Sequence, residues 1–176
     1  MIQELDHDSV SLHMQADPDT IYALVSDVTR MPELSPEIIE CKWLDGATGP
    51  AVGARFVGRN KMATPHRPSF TNKPVVTVAD PGRTFEFSRT EPFGGTVVWR
   101  YELAPAGDGT LVTESYTVTK PIKRIGWFII GTLFGCKDRR ADLHAGMRQT
   151  LERLRQVTER QSIPPSRSTP PRPRTS

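Results

Sequence analysis

The chain has 176 residues, a formal net charge of +3, 16 prolines, 13 glycines and two cysteines, which is enough for one buried core and short for two. Its last sixteen residues, 161–176, hold five prolines, three arginines and no acid, so they read as a disordered tail and leave a neutral body that gives nucleic-acid binding no support. The longest apolar run, residues 125–136 (IGWFIIGTLFGC), falls short of the ~20 residues a membrane-spanning helix needs.

The acidic start shows no apolar leader, and Cys41 and Cys136 stand alone, as in a reducing interior; the expected location is the cytoplasm. Residues 9–15 alternate Val10, Leu12 and Met14 with polar side chains, the period of a half-buried strand. Asp17-Pro18 then caps a helix carrying Ile21, Leu24, Val25 and Val28 and ending near Thr29, and Pro32 and Pro36 bracket a second short helical turn. Residues 38–44 and 54–62 form a hairpin across a Gly/Pro-rich link. Further strands follow at 74–79, 83–90, 96–103 and 111–118, separated by turn residues. From 137 to about 160 there is no proline, and Leu143, Met147, Leu151 and Leu154 make the apolar stripe of a long helix.

These elements predict an α+β domain over 1–160: a curved seven-stranded antiparallel sheet around the C-terminal helix, with two short helices after strand one. A sheet with one apolar face needs a cover, and only that helix is long enough to provide it. A pocket remains wherever the facing side chains do not fill the space.

Sequence signatures for a catalytic triad, phosphate loop, dinucleotide fold or metal centre are absent, and His7, His13, His66 and His144 are scattered; no cofactor or metal is expected. Strand parity is the informative signal. It turns Phe85, Phe87, Val97, Trp99, Tyr101, Leu103, Val112, Tyr116 and Val118 inward, and Glu114 with them. Pairing Leu103 with Val112 sets Tyr101 opposite Glu114 and Trp99 opposite Tyr116; pairing Thr90 with Thr96 sets Phe85 beside Tyr101. On the earlier hairpin, Phe56, Gly58, Asn60 and Met62 face inward, while Arg55, Val57, Arg59 and Lys61 face out.

A carboxylate among aromatics must find hydrogen bonds, and desolvation raises its pKa. Glu114 therefore has three readings: satisfied by Tyr101 or Asn60 with no further role, anchor for a mostly apolar ligand, or general acid or base. The candidate ligand-binding residues are Asn60, Glu114, Tyr101, Trp99, Phe87, Phe56, Tyr116 and, from the helix stripe, Met147. Residues 125–136 read as a lid over the open end of the sheet; their Lys123-Arg124 flank makes a peripheral membrane contact the alternative.

The strings DVTRMPE at 27–33, SPE at 35–37, CKW at 41–43, GARFVGRN at 53–60, PGRTFEF at 81–87, WRY at 99–101 and TES at 113–115 resemble the actinobacterial branch of the START-like superfamily, of polyketide cyclase/dehydrase type. The resemblance covers about residues 8–157. It implies a helix-grip fold with a deep hydrophobic cavity, found in lipid carriers and in aromatase/cyclases. The leading expectation is thus a binding protein, and possible carrier, for a hydrophobic small molecule such as a lipid or polyketide. A metal-independent cyclase or dehydratase and a protein-interaction module acting on the translation machinery are the two alternatives.

Overall fold

A computed structural model describes residues 5–61, 68–91, 95–133 and 135–161. In chain order these form β1 (His7–Met14), α1 (Pro18–Ser26), α2 (Met31–Leu34), β2 (Ile38–Trp43), β3 (Phe56–Asn60), β4 (Phe70–Asn72), β5 (Val75–Asp80), β6 (Thr84–Glu91), β7 (Gly95–Ala106), β8 (Gly109–Lys120), α3 (Arg124–Thr132) and α4 (Arg139–Gln161). Met62 and the tail beyond Gln161 lie outside the described residues.

Local chemistry sets the helix boundaries. Asp17 accepts a hydrogen bond from the Thr20 N–H at 2.9 Å, and Pro18 takes the first helical position of α1. The helix stops at Ser26, short of the expected Thr29, because the Asp27 carboxylate captures the Thr29 N–H at 3.1 Å and starts a separate 3-10 turn at Val28–Arg30. The apolar side of α1 sinks Ile21, Leu24 and Val25 into the main core, and α4 adds Leu151 and Leu154 to it.

The expected single sheet is instead two hydrogen-bonded sheets, with eight strands among the described residues. One runs β1-β8-β7-β6-β5 and the other β2-β3-β4, antiparallel throughout. The extra strand, β4, is separated from β5 only by Lys73 and Pro74. Pro74 has no N–H to give a ladder, so the chain changes sheets there. Its carbonyl still accepts from the Phe56 N–H at 3.2 Å, and an isolated Arg55–Val75 bridge continues the seam.

The long β7–β8 hairpin has the expected register: Tyr101 opposite Glu114, Trp99 opposite Tyr116, Leu103 opposite Val112. Across β6 and β7, Phe85 pairs with Tyr101 and Thr90 with Thr96. Most of the 125–136 segment, expected as a lid, is the helix α3, formed despite Gly126 and Gly131 because Trp127 and Ile130 bury one of its sides against Leu5, Phe70 and Ile122.

Candidate functional site

Between the two sheets and α4 lies a cavity of about 770 Å³ including its open rim, of which about 60 Å³ admits the centre of a water molecule. It is a narrow slot. Phe87, Trp99, Tyr101 and Glu114 line it from the large sheet, Cys41, Phe56, Gly58, Asn60 and Asn72 from the small one, and Leu143, Gly146, Met147 and Thr150 from α4. Val25, Met31 and Leu34 close the side toward the short helices. Seven of the eight residues singled out in the sequence thus line one cavity: Phe56, Asn60, Phe87, Trp99, Tyr101, Glu114 and Met147. Tyr116 does not. It lies on the same face one strand over, where its ring meets Trp99 at a tilt, centres 5.6 Å apart, and packs with Val97, Leu143 and Met147, so α4 seals it off.

At the inner end, the Tyr101 hydroxyl donates to Glu114 Oε1 at 2.8 Å, and Glu114 is 4% exposed. Burial pushes the Glu114 carboxyl up to about 8; the Tyr101 hydrogen bond works against that shift. Near neutral pH Glu114 is therefore mostly a protonated acid. Burial, and then the Glu114 charge and hydrogen bond, hold the Tyr101 phenol well above its usual range. Glu114 Oε2, Trp99 Nε1 and Asn72 Nδ2 are buried along the cavity wall and find no hydrogen-bond partner among the described residues. Asn60, one candidate partner of Glu114, instead donates to the Gly58 carbonyl of its own strand at 3.2 Å.

Sequence reasoning missed the charged groups at the other end. Arg89 is 8% exposed and lines the cavity, its guanidinium 5.7 Å from the centre of the Trp99 ring. It continues the inward row of Phe85 and Phe87 on β6, so the parity that placed those rings was the signal that would have placed it too. Arg89 lies four positions beyond Phe85, which pairs with Tyr101, so it sits about 13 Å along the sheet from the Glu114 row. Beside it, Arg139 at the start of α4 makes a two-pronged ion pair with Glu37, at 2.5 and 2.8 Å. Burial raises the Glu37 carboxyl, but the charge and hydrogen bonds of Arg139 and the charge of Arg89 bring it below the usual range.

Burial pushes the Cys41 thiol, also in the wall, up to about 12, so it is not a thiolate at neutral pH. Among the described residues no group of three His, Cys, Asp or Glu side chains comes together as a metal site. Nor does any described residue of α3 line the cavity, so the helix flanks the slot and does not lid it. No described helix is long and apolar enough to cross a membrane.

Solved structures share this fold. The di-domain ARO/CYC StfQ from the steffimycin biosynthetic pathway superposes with a TM-score of 0.70 at 17% identity, covering 89% of this chain and 51% of that longer one. A START superfamily protein from Mycobacterium smegmatis gives a TM-score of 0.67 at 16% identity, over 90% of this chain and 100% of that one. The Polyketide_cyc-like protein Cgl2372 from Corynebacterium glutamicum is 34% identical, with a TM-score of 0.58 over 88% of this chain and 92% of its own. No curated protein matches the chain. Residues 8–159 match the family described as polyketide cyclase/dehydrase and lipid transport, and with so long a match the chain belongs to that family.

Proposed function

We propose that the chain binds a hydrophobic small molecule, such as a lipid or a polyketide, in the slot between its sheets and α4, with the Glu114–Tyr101 pair holding a ligand oxygen. One observation carries this reading: a buried, mostly neutral carboxyl at the inner end of an apolar cavity, with one oxygen bound to Tyr101 and the other unpartnered among the described residues. Few convergent polar groups in an apolar cleft is what small-molecule sites look like. Trp99 Nε1 and Asn72 Nδ2 add two donors along the wall, which suits a ligand carrying acceptor oxygens.

The test is native mass spectrometry of protein purified from its own host, where the ligand registers as added mass. Near neutral pH Glu114→Gln, which exchanges a mostly neutral acid for an amide, lowers affinity for that molecule only a few-fold. Glu114→Leu keeps an apolar dye and loses the natural ligand. Unchanged affinity in both variants overturns the anchoring role, and undiminished binding in Met147→Trp, which fills the slot from α4, overturns the site.

A second reading, a metal-independent cyclase or dehydratase, draws on the Glu114 carboxyl lying close to neutrality, where a general acid works best. Turnover of a poly-β-keto thioester that declines as pH rises through about 8, and disappears in Glu114→Gln, would establish it.

A further inference from the structure

Six large apolar side chains stand exposed among the described residues, and three of them fall within nine positions at α3: Ile125 at 63%, Phe128 at 67% and Leu133 at 50%. Ile125 and Phe128 are one helical turn apart and share a side, with Leu133 on the same half of the helix just past its end. The opposite side of α3 is buried through Trp127 and Ile130, so the helix is fixed to the body with these apolar groups turned outward.

Charge is as uneven as hydrophobicity. From Ser115 to Lys137 there is no acid, while Lys120, Lys123, Arg124 and Lys137 are all cations, so the rest of the neutral body carries a net negative charge. Lys120, Lys123 and Arg124 are exposed and lie just before or at the start of the helix. A short helix with an outward apolar ridge and a cationic flank matches the boundary between headgroups and acyl chains of an anionic bilayer: the ridge enters the acyl edge while the cations stay at the phosphates.

We infer that α3 docks the protein on anionic lipid membranes, with Ile125, Phe128 and Leu133 as the inserted ridge and Lys120, Lys123 and Arg124 as the headgroup contacts. The position of the helix gives the contact a use. Cys136, packed against the α3 cluster, donates its thiol to Asp142 at 3.0 Å, and Arg139 in the same first turn of α4 is bound to Glu37. Asp142 and Glu37 both belong to the wall of the slot, so the docking helix and the cavity rim are joined by one short segment. Docking brings the rim to the surface where an apolar ligand resides. The inference stands apart from the identity of that ligand, because the ridge and the cations lie outside the cavity.

Co-sedimentation of the full chain with phosphatidylcholine vesicles, with and without one-third phosphatidylglycerol, tests it directly. The chain pellets with the anionic vesicles and stays in solution with the neutral ones. Paired Lys123→Glu and Arg124→Glu changes lower the partition at least about twenty-fold, near five-fold for each lost cation. Phe128→Ser lowers it comparably with an unchanged thermal midpoint, because the ring is exposed. Val52, 71% exposed in the β2–β3 connection, is the control, and Val52→Ser partitions like the parent.

Failure to pellet with anionic vesicles overturns the inference. So does undiminished pelleting of Phe128→Ser, which means adsorption by charge alone, or a loss in Val52→Ser as large as that in Phe128→Ser. Gel filtration supplies a separate check: a dimer that Phe128→Ser converts to monomer means that a second copy covers the ridge, and overturns it as well. Repeating the sedimentation with Glu114→Leu keeps the two readings distinct, since a failure of ligand binding leaves it unchanged.

Discussion

Glu114 and Glu37 line the same cavity, Glu114 buried and Glu37 mostly so, yet their acidities move in opposite directions. Burial raises both. For Glu114 the only counterweight is the neutral Tyr101 hydroxyl, and the carboxyl ends up near 8. For Glu37 it is the two-pronged Arg139 guanidinium with Arg89 nearby, and the charged form wins. The slot therefore has a neutral hydrogen-bonding inner end and an ionic rim, and the opposite signs follow from the partner supplied to each carboxyl.

Removing the cationic partner breaks this contrast most severely. Arg139→Ala leaves Glu37 buried without its main counter-charge and costs ~3 kcal/mol in urea denaturation, whereas Glu37→Leu combined with Arg139→Leu recovers most of it. Next in size, Tyr101→Phe takes the single hydrogen bond from Glu114 and costs about 1–2 kcal/mol. It also drives the Glu114 titration further upward, which carboxyl infrared absorption reads directly.

The pH dependence sharpens the contrast without a mutation. Glu114 binds its proton more tightly folded than unfolded, so its contribution is complete below about 4.5 and is lost as pH rises through about 8, by at most ~1.4 kcal/mol per pH unit. Glu37 has the opposite sign. Its contribution is present above 4.5 and is lost as pH falls through its lowered folded value. Stability measured across this range declines on the alkaline side through Glu114 and on the acid side through Glu37, and Glu114→Gln flattens only the alkaline limb. The smallest effect is that of Glu114→Gln itself at pH 5, within ~1 kcal/mol, since the amide there replaces an acid that is already neutral.

The inner end of the slot was legible because a two-residue period and a tight turn at Gly107 and Asp108 leave little freedom in a long hairpin; Tyr101 had to face Glu114 once Leu103 faced Val112. The ionic rim was not. Glu37 and Arg139 lie 102 positions apart on a loop and a helix start, and no periodicity in either segment points to the other. Arg89 obeyed the same parity as Phe85 and Phe87, but parity does not say what a charged side chain near a strand end lies against, and only the fold shows the Trp99 face beneath it. The second sheet was hidden for a different reason: β4 has three residues, too few for any alternation to show. The helix at α3 was masked by its two glycines and by an apolar ridge that faces outward as well as inward.

The seam between the sheets is the thinly bonded boundary of the slot. Among the described residues, β3 and its lead-in are tied to Pro74 and β5 by three backbone hydrogen bonds: Gly53 N–H to Val76 O, Val76 N–H to Ala54 O and Phe56 N–H to Pro74 O. At roughly 1 kcal/mol each these cost about 3 kcal/mol to open, which a guest offsets by transferring about 120 Å² of apolar surface out of water. The five-stranded ladder, whose β7–β8 pairing runs from Thr96 to Gly109, need not lose a single rung in the process. The five-stranded wall brings Glu114, Tyr101 and Trp99 on an unbroken ladder, while the wall that brings Asn60 and Asn72 meets it across a proline seam of few hydrogen bonds, so a bulkier guest is accommodated at the lowest cost on the side that carries the amides.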